Sequence, residues 1–171
     1  MPMILITPLS AIEETIRQHA PSHMVTLLSI DYMIETPKGF DSDRHLRLTM
    51  HDIADEGFPG SPSRGHVDEL LAFGRGWDAS APMLVHCWAG ISRSTAAAYT
   101  LLCDRAGPGA EQEIAWLLRE RAPHAQPNRL LVRLADEAMG RRGAMVRAID
   151  SLGTGVLATE GFPVEIPLGR S

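Results

Sequence analysis

Cys87 and Arg93 stand either side of five residues in the run His86-Cys87-Trp88-Ala89-Gly90-Ile91-Ser92-Arg93-Ser94. A cysteine thiolate is a nucleophile, and an arginine guanidinium is a flat fork that matches two oxygens of a phosphate. The apolar stretch Pro82-Met83-Leu84-Val85 comes before them and a helix-forming run, residues 94–104, comes after. That order reads as strand, tight loop, helix. Cys87 then falls at the carboxyl end of a strand, and the amides of residues 88–93 can converge on one point. Unpaired N–H groups and a helix dipole at such a turn favour an anion. The same field stabilises a thiolate that faces the bound phosphorus.

The elements that must hold this loop are legible as alternation. Residues 4–7 read as a first strand, followed by a helix with Leu9, Ile12 and Ile16 at helical spacing. Residues 24–30 (MVTLLSI) are β-branched and apolar, a second strand, and residues 31–44 form a loop. Residues 45–51 alternate, with Leu46, Leu48 and Met50 on one face, as a half-buried strand does. A turn-rich loop, 52–63, leads to a helix marked by Val67, Leu70, Leu71 and Phe73. After the 83–87 strand and the 94–104 helix, helices follow at 111–121 and from Asn128, the expected N-cap. Strands separated by helices imply an α/β fold, a single domain with a central, mostly parallel sheet flanked by helices. Its site belongs at the carboxyl ends of the strands. Residues 1–140 read as the catalytic domain, and 141–171 as a last helix near 145–152 plus an extended tail without an assigned role.

The segment 86–94 resembles the signature H-C-x2-G-x2-R-[S/T] of the cysteine-dependent protein tyrosine phosphatases. Random residue usage would give its five fixed positions at roughly one in ten million start points. Residues 45–52 are similar to the strand that ends in the general-acid aspartate of the small, dual-specificity-type branch. Residues 94–99 resemble the helix after its loop, and Pro127-Asn128-Arg129-Leu130-Leu131 its Pro-Asn turn. The resemblance covers roughly residues 4–139 and implies roles residue by residue. Cys87 is expected as nucleophile and Arg93 as phosphate clamp. The amides of Trp88, Ala89, Gly90, Ile91, Ser92 and Arg93 are expected to bind phosphate, and Ser94 to hydrogen bond the cysteine sulfur. Asp52 is the expected general acid, with Asp55 and Glu56 as rivals further into a loop. His86 and Asn128 are supporting residues. By strand alternation His86 points away from the pocket, where it can hold the loop and help keep Cys87 ionised.

The implied reaction is hydrolysis of phosphotyrosine, with phosphoserine and phosphothreonine slower, through a phosphocysteine and without cofactor. Larger tyrosine-specific relatives deepen the slot with an aromatic wall. Here only residues 31–44, with one tyrosine and one phenylalanine, are left for one. The five residues WAGIS between Cys87 and Arg93 carry no charge and offer no second phosphate site. Two alternatives stand beside this reading: a phosphatase of a non-protein ester, and a catalytically weak phospho-binding module. Seven histidines lie scattered without ligand spacing, so no metal is expected. Cys103 reads as a buried apolar thiol, and Trp88 as a residue at the pocket mouth. A net charge of −5 argues against nucleic acid or an anionic membrane as partner. Two cysteines and no signal-like N-terminus point to a reducing cytoplasm. Oligomeric state leaves no signal.

Overall fold

The computed structural model of the protein describes residues 2–169. Four parallel strands form the sheet's body: β1 (Met3–Thr7), β2 (His23–Leu28), β3 (His45–Thr49) and β4 (Met83–His86). A fifth, β5 (Val164–Pro167), pairs antiparallel with β1, and the order is β3-β2-β4-β1-β5. The helices are α1 (Ile12–His19), α2 (Arg64–Gly76), α3 (Arg93–Ala106), α4 (Glu111–Arg121), α5 (Arg129–Met139) and α6 (Ala144–Ser151). The expected α/β class with a mostly parallel sheet is what the chain adopts.

The two faces of the sheet are covered unequally. Ile4, Ile6, Val25, Leu27, Leu48, Met83 and Val85 point into a large core roofed by α2 to α6. Leu5, Met24 and Leu84, one residue out of phase, meet α1 through Ile12 and Ile16 and meet Phe40 from the loop before β3. Helix α3 is buried from Arg93 to Cys103. Its run Ala96-Ala97-Ala98, fully buried, lets the helix lie close against the sheet. Among the described residues no helix is long and apolar enough to cross a membrane.

Three sequence expectations shift. Strand β2 stops at Leu28 rather than at residue 30, because Ile30–Tyr32 turn into a short 3₁₀ helix. Strand β3 stops at Thr49 rather than at 51, so Asp52 lies in the following loop. The stretch expected as an extended tail returns to the sheet as β5, where Val164 and Ile166 are buried in the core that α6 also joins. Glycine and proline between residues 153 and 163 mask a strand only four residues long. The tail's last two residues lie outside the described ones.

Candidate active site

Strand β4 is central, and it delivers Cys87 to the carboxyl edge of the sheet beside the end of β1. From there the chain turns through residues 88–92 into the N-terminus of α3. Each carbonyl on this turn but one is tied down from outside. Leu9 N–H donates to Trp88 O (3.0 Å), Gly161 N–H to Ala89 O (2.8 Å), Gln126 N–H to Ile91 O (2.9 Å) and Asn128 N–H to Ser92 O (3.1 Å). Among the described residues all peptide bonds are trans, so a carbonyl held outward turns the next N–H the opposite way. Among the described residues the N–H groups of residues 88–92 find no protein acceptor. A ring of inward donors at a helix N-terminus is an anion nest.

Gly90 makes the turn possible. Its φ is +71°, and a Cβ there would stand 2.7 Å from the Pro8 nitrogen and 2.8 Å from the Thr7 carbonyl carbon. Any other residue would combine backbone strain with a clash against the end of β1.

The nest is one wall of a cavity of about 490 Å³ lined by Leu28, Ser29, Tyr32, Asp52 and residues 87–89 and 91–93. Cys87 lies at its floor, 2% exposed, and its Sγ is 3.1 Å from the Ser94 Oγ. Arg93 is 8% exposed; its Nη1 donates to the Met50 carbonyl at 3.0 Å, while its buried Nε has no partner. An unsatisfied buried guanidinium N–H is costly, and a phosphate oxygen in the nest would satisfy it. One end of the fork therefore fixes Arg93 while the other stays available.

Asp52 lines the same cavity. Its Oδ1 accepts from Ser92 Oγ (2.7 Å) and from Asn128 Nδ2 (2.9 Å), leaving Oδ2 for the cavity. Its anchorage is thus by side chains across 40 and 76 residues of sequence, not by the strand that precedes it. Asn128 also donates to the Ile53 carbonyl (3.1 Å) and caps α5 through Leu131 N–H (2.9 Å). One asparagine thus locks the acidic loop to a helix start. The rivals lie elsewhere: Glu56 pairs with Arg133 on α5 (3.0 Å), and Asp55 is exposed, its carbonyl accepting from Ser61 Oγ.

Sequence reasoning left three contributors without a role. Tyr32 stacks on Trp88 with ring centroids 4.9 Å apart at a 58° tilt, and both rings are exposed at the mouth. The segment 154–163 runs behind the nest, where Gly161 meets Ala89 and Phe162 packs edge-on against His124 at 4.6 Å. The third is Thr26 with His45, which form a hydrogen-bond chain to His86 on the side away from the cavity, where alternation points that ring. The signals were faint: an aromatic just after a strand, a glycine in an aperiodic tail, a threonine inside an apolar strand.

No protein-family model matches the chain, and no curated protein matches it by sequence. Solved structures do match in shape. DUSP15 has 19% identity and a TM-score of 0.59, with 90% of this chain and 94% of that one covered. The human tyrosine phosphatase-like serine/threonine/tyrosine-interacting protein has 18% identity and a TM-score of 0.62, covering 82% and 93%. PTPMT1 in complex with PI(5)P has 17% identity and a TM-score of 0.60, covering 86% and 96%. The likeness is one of architecture, and by it the chain has the fold of the small dual-specificity branch of the cysteine-dependent protein tyrosine phosphatases.

Proposed function

We propose that this protein is a cysteine-dependent phosphatase that hydrolyses phosphotyrosine in proteins, and phosphoserine and phosphothreonine more slowly. The observation that carries the reading is that Cys87 and Arg93 line one cavity with the turn between them, whose amides at residues 88–92 and the buried Arg93 Nε are left without protein partners. That arrangement fits the equatorial oxygens of a phosphoryl group in transfer.

In the first step the Cys87 sulfur attacks phosphorus, an S–P bond forms and the ester P–O bond breaks. Asp52 gives its proton to the departing oxygen through Oδ2, the oxygen not engaged by Ser92 and Asn128. In the second step water attacks phosphorus, passes its proton to the Asp52 carboxylate, and the S–P bond breaks. The Ser94 hydroxyl, 3.1 Å from Sγ, donates to the sulfur as it leaves. No step calls for a metal or cofactor.

The Tyr32–Trp88 pair favours an aryl ester, since two tilted rings at the mouth offer faces to a phosphotyrosine ring. The relative crystallised with PI(5)P raises the question of a lipid headgroup. Arg93 is the single cation among the lining residues here, enough for one phosphate group and no second. A phosphoprotein partner and a reducing cytoplasm, supported by two free cysteines, complete the proposal. Phosphate release from matched phosphotyrosine, phosphoserine and phosphothreonine peptides and from an inositol phosphate tests it. Preference for the inositol phosphate by tenfold, about 1.4 kcal/mol of transition-state binding, would overturn the substrate class.

A further inference from the structure

Behind the sheet, on the face away from the cavity, a buried line of polar groups crosses three strands. Thr36 Oγ1 lies 2.8 Å from His45 Nδ1, and His45 Nε2 lies 2.7 Å from Thr26 Oγ1. Thr26 Oγ1 lies 2.7 Å from His86 Nε2, and His86 Nδ1 lies 3.1 Å from the Cys87 carbonyl oxygen. Thr26 and His86 are 0% exposed and His45 is 8% exposed. Burial, with Arg47 as a second cause, pushes His45 down to about 4. Burial pushes His86 down to about 4 against the pull of the Cys87 carbonyl, with His45 and Arg93 adding to the descent. Both rings are therefore neutral near pH 7.

Neutrality fixes every proton in the chain. A carbonyl only accepts, so His86 carries its proton on Nδ1 and must accept at Nε2. Thr26 supplies that bond, which spends its one proton and makes its oxygen an acceptor for His45 Nε2–H. His45 then accepts at Nδ1 from Thr36. All four bonds run in one direction, from half-buried Thr36 to the Cys87 carbonyl, and bonds aligned this way strengthen one another.

We propose that Thr26 and His45 are positioning residues of the reaction: they hold His86 in the Nδ1–H form that draws the Cys87 carbonyl to the far face of the sheet. Because that peptide is trans, the Trp88 N–H is turned the other way, toward the nest and the sulfur. Without the Thr26 hydroxyl, His86 Nε2 loses its donor and the ring loses the bond that holds it against β2. A ring free to tilt weakens the Nδ1–H bond to the Cys87 carbonyl, and the first amide of the nest loses its aim.

The inference rests on Cys87 being a reactive nucleophile, and the experiment separates the two. Alkylation of Cys87 by iodoacetamide at neutral pH is followed by mass spectrometry in folded protein. Cys103, fully buried and pushed up to about 12 chiefly by burial, stays silent. Thr26→Val should slow alkylation about tenfold, and Thr26→Ser, which restores the hydroxyl, should recover it. A merely structural Thr26 would lower stability without changing the rate per folded molecule. If wild-type Cys87 does not react, the nucleophile assignment fails; if Thr26→Val reacts at the wild-type rate, the positioning role fails. Nitrogen-15 NMR of the wild-type histidines decides the matter even if Thr26→Val does not fold. The expected forms are Nδ1–H for His86 and Nε2–H for His45, and the reverse for either ring overturns the proposal.

Discussion

At the scale of single residues, the proposed reaction divides labour between side chains that react and side chains that aim them. Asp52 has one oxygen committed to Ser92 and Asn128 and one free, which is the geometry of a proton donor held at fixed orientation. Asp52→Asn should therefore lower kcat on a phosphotyrosine peptide by roughly 10²–10⁴-fold. It should cost far less on 4-nitrophenyl phosphate, whose leaving group departs unprotonated. Steady-state rates on the two substrates check this, and an equal loss on both would reassign the acid. Asn128→Ala removes both the Asp52 contact and the α5 cap. It should lose about 1 kcal/mol of stability and show part of the Asp52 defect, read by denaturant unfolding beside kcat. Tyr32→Ala should raise KM for the phosphotyrosine peptide severalfold, the scale of one aromatic contact, and leave a phosphoserine peptide unchanged. Equal effects on both peptides would remove Tyr32 from substrate choice.

At the scale of elements, residues 87–92 form a strand-to-helix turn whose outward carbonyls are held by segments remote in sequence. The loop itself was legible because its residues are local: cysteine, glycine, arginine and helix start lie within nine residues. Its supports were not, since each is an unremarkable backbone amide brought near by folding. Gly161 shows the difference. It reads as tail punctuation, yet a Cβ there would stand 2.6 Å from His124 Nε2 and 3.1 Å from the Gly90 carbonyl oxygen. Gly161→Ala should push the tail off the loop, weaken vanadate inhibition and lower kcat/KM roughly tenfold, as small misplacements at a site do. Gly155 is just as crowded, a Cβ there meeting Arg119 Nη1 and the Pro123 carbonyl oxygen, but more remote from the loop. Gly155→Ala should disturb stability more than vanadate binding. If the two variants bind vanadate alike, the tail supports the fold and not the loop. The alternating pattern of β3 was likewise legible, while its end was not: Thr49 and His51 differ in pairing, which polarity does not report.

For the whole molecule, the fold places β4 between β2 and β1, so Cys87 is fixed by strands on both sides and by helix α3 beneath. The histidines behind the sheet give this arrangement a pH signature. His45 and His86 titrate near 4 in the folded chain against an ordinary 6.5. Between those values the unfolded chain binds more protons, so stability present above pH 6.5 is lost as pH falls toward 4. For fully buried His86 the slope is on the order of 1 kcal/mol per pH unit. Melting temperatures across pH 4 to 7 should fall on the acid side, and less steeply in His86→Gln. A profile identical in that variant would contradict a dry, neutral His86. The central claim, covalent transfer to Cys87, has a more direct test. Asp52→Ala, or the wild type quenched in acid, is mixed with 4-nitrophenyl phosphate and its cysteine peptides are weighed by mass spectrometry. The account predicts one phosphoryl group on the peptide bearing Cys87 and none on that bearing Cys103. Sustained phosphate release by Cys87→Ser, or a phosphoryl group on any other residue, would contradict it.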